Sequence, residues 1–176
     1  MNKIIKHYEN IALSNNDIMK LLDGEVNIIL YPDLYKFSKL DQLLEPYDAC
    51  ILLFEAKPRY GHWVCIFKEN KNTVSFFNPY SGFPDDSLLA INKDFRKKSN
   101  QEYPILSQLL LDSPYNLTYN EFKFQKRAPD IKTCGRHCVF RIMNKDLDLY
   151  KYKRALDILC KKWNTDYDGI VTYATI

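Results

Sequence analysis

The sequence has little of what marks secreted, membrane-spanning or repetitive proteins. No apolar run approaches the ~20 residues that cross a bilayer, and only five glycines are present, with no low-complexity tract. The five cysteines are odd in number and form no CxxC pair, which argues against a disulfide framework and indicates a reducing compartment. A net charge of +3 is too small to predict nucleic-acid binding by itself. These absences predict a soluble intracellular protein with no membrane segment.

The length and composition favour one domain over residues 1–176, because 46% hydrophobic residues provide a core that needs neither disulfides nor metal. Alternation and apolar periodicity predict strands over 26–31, 49–54, 62–67, 73–77 and 115–124, and helices over 14–22, 37–45, 85–90, 105–110 and 147–163. Strand 49–54 is apolar throughout, as in the middle of a sheet buried on both faces. Since strands and helices do not alternate regularly, we expect an α+β fold with a central mixed sheet flanked by helices.

Cys134 is the candidate nucleophile. The apolar run that follows it predicts a helix, and Thr133 is a residue type that caps helix N-termini. A cysteine in the first turn lies beside free backbone N–H groups and the positive end of the helix dipole, which favour a thiolate. Gly135 would leave room for a substrate backbone beside the sulfur. This segment therefore predicts thiol chemistry that needs a base elsewhere in the chain.

His62 is the histidine with a suitable setting for that base. It opens the first strand of a predicted hairpin, and Asn78 follows the second, so the two residues come within reach of each other. An asparagine oxygen can accept from the imidazole and fix its tautomer, while Trp63 packs behind the ring. Asp85 or Asp86 remain alternatives to Asn78. Of the other histidines, His7 has no supporting context, and His137 lies on the same helical face as Cys134.

Gln125 is the candidate side chain for stabilising an oxyanion. It ends a predicted strand and can donate its amide beside the backbone N–H of Cys134. Taken singly, His62, Asn78 and Gln125 would each be unremarkable as a structural histidine, a turn residue and a surface glutamine. Cys134 and Cys138 could ligate a metal, but no second pair stands at matching spacing, so the sequence predicts neither metal nor cofactor.

Together these motifs resemble a known superfamily. Their order is Gly61-His62-Trp63, Phe77-Asn78-Pro79-Tyr80-Ser81-Gly82, Gln125, and Thr133-Cys134-Gly135-Arg136-His137-Cys138. This order resembles the adenovirus-protease (adenain) and ubiquitin-like-protein-protease superfamily of cysteine peptidases, and looks closest to maturation proteases of virophages, polinton-like elements and large DNA viruses. The resemblance covers about Ala49 to Met143. It implies a papain-like core with a Cys-His-Asn site, Gln125 in the oxyanion hole and Trp63 and Gly135 along the substrate groove.

The resemblance further implies a monomeric endopeptidase that processes viral capsid or other structural precursor proteins, with glycine preferred on the acyl side of the cleaved bond. The expected locations are the host-cell cytoplasm or viral factory, and the virion. The alternatives are a deubiquitinating or deSUMOylating peptidase, and a non-catalytic capsid- or DNA-binding protein on the same scaffold. Weak nucleic-acid association is also expected, from two basic clusters consisting of Lys93, Arg96, Lys97 and Lys98, and of Lys123, Lys126, Arg127 and Lys132.

Overall fold

A five-stranded mixed sheet forms the centre of the computed structural model, which describes residues 2–176. The strands are β1 (Asn27–Leu30), β2 (Ala49–Lys57), β3 (Tyr60–Asn70), β4 (Thr73–Phe77) and β5 (Asn116–Tyr119). They lie in the order β1-β2-β3-β4-β5. The two outer pairs, β1 with β2 and β4 with β5, are parallel, and the inner pairs are antiparallel.

Helices cover both faces of this sheet. They are α1 (Asn2–Glu9), α2 (Asn15–Leu21), α3 (Asp41–Leu44), α4 (Lys93–Lys98), α5 (Ile105–Leu111), α6 (Cys134–Met143), α7 (Leu149–Trp163) and α8 (Tyr167–Ala174), with 3-10 helices at Tyr31–Lys36 and Asp86–Ala90. Within residues 2–176, none of these helices combines the length and the apolar character that crossing a membrane requires.

Two apolar layers sandwich the sheet because β2 and β3 carry apolar side chains on both faces. Ile51 and Leu53 pack with α2, α6, α7 and α8, whereas Cys50 and Leu52 pack with α3, α5 and the 3-10 helix at 31–36. Strand side chains alternate between faces, so an unbroken apolar run serves both layers at once. The predicted α+β class, with a mixed sheet flanked by helices, is confirmed.

Several predicted element bounds were wrong. The strand expected to run to residue 124 ends at Tyr119, because the side chain of Asn120 turns back to bind the backbone of Asn78. The helix expected over 37–45 shrinks to α3, and residues 86–90 form a 3-10 helix. Helices α1, α4 and α8 were not predicted. The hairpin of β3 and β4 and the start of α6 at Cys134 are as predicted.

One edge of the sheet gathers the candidate site residues, and the strand directions explain why. β4 and β5 are parallel, so Asn78 and Asn120, which follow them, emerge side by side. β3 runs antiparallel to both neighbours, which brings its first residues, including His62, to the same edge. α6 packs across β3, and its first residue, Cys134, completes the group.

Candidate active site

A cavity of about 670 Å³ opens at this edge of the sheet. Four predicted site residues line it, namely His62, Trp63, Gln125 and Cys134. A further wall comes from residues 12–16, the segment that leads into α2. A second cavity, of about 520 Å³, shares His62 and Tyr80 with the first and is bordered by Asn78 and Arg127. His62 and Tyr80 thus stand between two adjoining openings.

The His62 ring is held in one tautomer by Asn78. Its Nε2 lies 2.7 Å from Asn78 Oδ1, and the same oxygen accepts the backbone N–H of Tyr80 at 2.9 Å. A backbone N–H can only donate, so the atom that it meets must be the amide oxygen. Nε2 must then carry a hydrogen, which leaves Nδ1 of the neutral ring as a proton acceptor.

Asn120 holds Asn78 in place from behind. Its side-chain oxygen accepts the Asn78 N–H at 2.9 Å, and its side-chain nitrogen donates to the Asn78 carbonyl at 2.7 Å. Asn120 is 1% exposed and Asn78 is 2% exposed. Asn120 was not predicted as a site residue, because it lies inside the strand expected over 115–124. No local pattern marks Asn120, since its burial and its contact with Asn78 depend on how distant segments pack.

The alternatives to Asn78 are engaged elsewhere. Asp85 accepts the Tyr31 hydroxyl at 2.6 Å and the Ser107 N–H at 2.7 Å. Asp86 accepts the backbone N–H of Phe83 at 2.8 Å. Neither carboxylate meets His62, so the structure places Asn78 against the imidazole.

Burial dominates the electrostatics of His62. It lowers the pKa of the imidazole to about 4, a shift opposed by the hydrogen bond to Asn78 and assisted by the positive charge of Arg127. Tyr80 covers the ring, with centroids 4.6 Å apart and planes 13° from parallel, and the Arg127 guanidinium lies 4.7 Å from the centre of the Tyr80 ring. The lowered pKa favours the neutral ring at physiological pH. Tyr80 was not predicted as part of the site.

Cys134 is the first residue of α6, as predicted, and Thr133 stands at the N-cap position before it. Burial raises the pKa of its thiol, and this outweighs the lowering by backbone N–H groups of Trp63, Gly135 and Cys134 itself. Thr133 makes no capping hydrogen bond, because its hydroxyl donates to Asp168 at 2.5 Å instead. The resting sulfur is thus a thiol that requires a base.

Gly135 packs closely against Trp63, and it is not among the residues that line the cavity. A Cβ at this position would lie 3.2 Å from Trp63 Cδ1 and 3.3 Å from Leu13 Cβ. Both distances are tighter than most real Cβ contacts, so a side chain here would press on the indole and on Leu13. Trp63 is 5% exposed and contributes both to the core and to the cavity wall.

Gln125 lines the cavity. Its backbone N–H donates to the Pro79 carbonyl at 3.0 Å, which ties it to the loop that carries Asn78. The side-chain Nε2 donates to the Ile131 carbonyl at 3.4 Å, while Oε1 is buried without a partner. A primary amide has two N–H groups, so one remains for another acceptor.

His137 does not approach Cys134. Its Nε2 lies 2.9 Å from Asp168 Oδ1, inside the protein. Across the part of the chain that the structure describes, no group of three histidine, cysteine or acidic side chains is arranged to hold a metal ion. Asp168 was not predicted, because it lies on α8, which the sequence analysis did not foresee.

The chain matches no family model, and its family is shown instead by a relative of similar sequence. A protein named "Uncharacterized protein V9", from Sputnik virophage, is 53% identical over 174 residues, covering 99% of each chain. The chain belongs to the V9 family.

Two solved structures resemble this V9-family chain at 15% sequence identity each. The ASFV pS273R protease has a TM-score of 0.45, and the match covers 82% of this chain but only 62% of the protease. The SUMO protease Ulp1, with its catalytic cysteine oxidised to a sulfinic acid, has a TM-score of 0.39, with 99% of this chain and 87% of Ulp1 covered.

Proposed function

We propose that this protein is a cysteine endopeptidase with Cys134 as nucleophile and His62 as general base. The contact of 2.7 Å between His62 Nε2 and Asn78 Oδ1 carries the proposal. It leaves Nδ1 able to accept a proton, on a ring that shares a cavity with the Cys134 thiol. A nucleophile, a base and a residue that orients the base form the unit that acyl transfer needs.

The proposed reaction has two stages. His62 takes the proton of the Cys134 thiol as Sγ attacks the scissile carbonyl carbon, and the resulting oxyanion accepts from the Cys134 N–H and the free N–H of Gln125. His62 then protonates the leaving amine as the C–N bond breaks, which leaves a thioester. Water, deprotonated by His62, hydrolyses the thioester and regenerates the thiol. Asn78 keeps the ring oriented throughout.

The proposed substrates are capsid or other structural precursor polypeptides of a virus, with glycine on the acyl side of the cleaved bond. Membership of the V9 family supports a virophage setting, and the resemblance to viral maturation proteases supports the substrate class. We propose that the protein acts as a monomer in the host-cell cytoplasm or viral factory, and in the virion. Any nucleic-acid association is proposed to be weak, because Lys126 of one basic cluster is paired with Asp166 at 2.5 Å.

The test is to incubate the protein with purified capsid precursors of its virus and to compare four variants. Cys134→Ala and His62→Ala are expected to abolish cleavage while the thermal melt stays cooperative, because the two groups act as one unit. Cys160→Ala and His7→Ala are matched controls, since Cys160 is a partly exposed thiol on α7 and His7 an exposed histidine on α1. Both controls are expected to cleave at the wild-type rate.

Two further assays separate the alternatives. Cleavage of ubiquitin-like fusions, with capsid precursors left intact, would support a deubiquitinating or deSUMOylating enzyme instead. If neither is cleaved, and iodoacetamide labels Cys134 no faster than the other four thiols, the protein is a non-catalytic binder. Near-wild-type cleavage by Cys134→Ala would assign the chemistry to another residue.

A further inference from the structure

Asp168 binds both ends of the loop that separates Gln125 from Cys134. The backbone N–H of Lys126, the residue after Gln125, donates to Asp168 Oδ2 at 3.1 Å. The hydroxyl of Thr133, the residue before Cys134, donates to Asp168 Oδ1 at 2.5 Å. One carboxylate of α8 therefore closes a loop of eight residues, 126–133, at its two ends.

The Asp168 carboxylate is buried, and both of its oxygens accept hydrogen bonds. Asp168 is 1% exposed, and its Oδ1 also lies 2.9 Å from His137 Nε2 on α6. A buried carboxylate is stable only when hydrogen bonds and charges compensate its desolvation, and here three donors from two segments do so. The neighbouring Asp166, in contrast, pairs with the exposed ammonium of Lys126 and caps α8.

The two groups that would bind the oxyanion lie on either side of this loop. Gln125 is attached to the Pro79 carbonyl, and the Cys134 N–H is at the start of α6. Neither residue belongs to a strand, so the hydrogen bonds of the β-sheet do not fix the distance between them. Within the loop, the backbone N–H of Lys132 donates to the Glu9 carbonyl at 2.7 Å, and this bond anchors the end of the loop that is next to Cys134. The Gln125 side chain also reaches the Ile131 carbonyl, at 3.4 Å, and Asp168 adds a buried carboxylate from outside the loop that binds both of its ends.

We propose that Asp168 is a positioning residue that sets the separation of Gln125 and the Cys134 N–H across the oxyanion site. The inference rests on the peptidase function proposed above. Donors that miss a developing oxyanion by a fraction of an ångström stabilise it poorly, so the carboxylate would act on the chemical step and not on substrate binding.

The decisive variant is Asp168→Asn, which keeps the shape of the side chain. Asparagine has one acceptor oxygen where aspartate has two, and it carries no charge, so the contacts to the Lys126 N–H, the Thr133 hydroxyl and His137 cannot all be kept in their present direction and strength. Asp166→Asn is the matched control, because asparagine also caps helices and only the exposed ion pair is lost. Thr133→Val removes one donor while keeping the shape of the side chain, and Thr133→Ser restores the hydroxyl.

Three quantities are measured on each variant, with a fluorogenic peptide that has glycine on the acyl side. These are kcat, KM, and the rate at which iodoacetamide alkylates Cys134. Alkylation displaces iodide from a saturated carbon and forms no oxyanion, so it reports on the thiol without the oxyanion site. We expect Asp168→Asn to lower kcat by roughly ten- to a hundredfold, with KM and the alkylation rate within about twofold of wild type. Thr133→Val should lower kcat in the same way, and Thr133→Ser should recover it.

Two results would overturn the inference. One is an unchanged kcat in a folded Asp168→Asn protein or, where that variant does not fold, in Thr133→Val. The other is alkylation that falls in step with kcat, since the carboxylate would then act on the thiol or on the fold as a whole. If the wild-type protein neither hydrolyses peptides nor favours Cys134 in alkylation, the proposed peptidase function fails first.

Discussion

Cys134 and His62 are expected to rest as a neutral thiol and a neutral imidazole. Burial raises the pKa of the Cys134 thiol above its ordinary value of 9.0 and lowers the pKa of His62 to about 4. At pH 7.5, a thiol with a pKa of 9 or more is ionised to at most about 3%. A preformed thiolate and imidazolium pair would be almost fully ionised at the same pH. The two resting states therefore differ by more than a factor of ten in thiolate content.

The assay is the ultraviolet absorbance of the thiolate, taken as the difference between wild type and Cys134→Ala across a pH titration. We expect no absorbance step below about pH 8. The acid limb of kcat/KM is expected near pH 4, because activity falls when the imidazole is protonated and can no longer accept. At pH 5.5 about 97% of such a ring is neutral, against about 9% of a histidine with the usual pKa of 6.5.

Full thiolate absorbance at neutral pH, or an acid limb near 6.5, would refute this reasoning. Asn78→Asp is a directed perturbation, because a carboxylate beside the ring favours the imidazolium and should move the acid limb to higher pH. Cys160→Ala provides the control, since loss of a thiol outside the cavity should leave the Cys134 difference spectrum unchanged.

Three further predictions concern the site and the surface. Asn78→Ala should raise the activation free energy of kcat/KM by about 1 to 3 kcal/mol, less than the loss of His62 does. If Asn78→Ala is as active as wild type and Asp85→Ala is impaired, Asn78 is not the residue that orients His62. Gly135→Ala should destabilise the fold by about 1 to 3 kcal/mol in thermal or urea unfolding, because its Cβ meets Trp63 at 3.2 Å; an unchanged midpoint would contradict this. Duplex DNA should not bind detectably at physiological salt. Tight binding whose log association constant falls with log salt concentration, with a slope of about −0.9 per phosphate neutralised, would show that the basic clusters do bind nucleic acid.

Contacts within the site could be predicted from the sequence where the two residues belong to one hairpin and are therefore close along the chain. His62 and Asn78 meet because β3 and β4 pair through a short turn, which the alternation of apolar residues predicts. Asp168 and Asn120 could not be found in this way. Asn120 binds Asn78, 42 residues away, and the partners of Asp168 lie 31 to 42 residues away. A buried polar side chain with such distant partners leaves no periodic pattern.

Gly135 shows a different limit of sequence reasoning. A glycine after a candidate nucleophile fits a substrate groove and a close-packed indole equally well, and only the position of Trp63 decides between them. At Cys134, the lowering of the thiol pKa expected from backbone N–H groups is present but is not the largest effect. A helix N-terminus favours charge, but the depth of burial, which follows from the packing of the whole chain, outweighs it here.

The contacts of Asp168 can form only after synthesis of the chain has reached α8. A ribosome makes Gln125 and Cys134 before it makes α8, at about 5–20 residues per second, so for some seconds the nascent chain carries the thiol without the carboxylate that holds the loop ends. During that interval the chain has its nucleophile but not its finished geometry. A peptidase assembled in this order would have the two ends of this loop tied by Asp168 only after its own synthesis had passed residue 168.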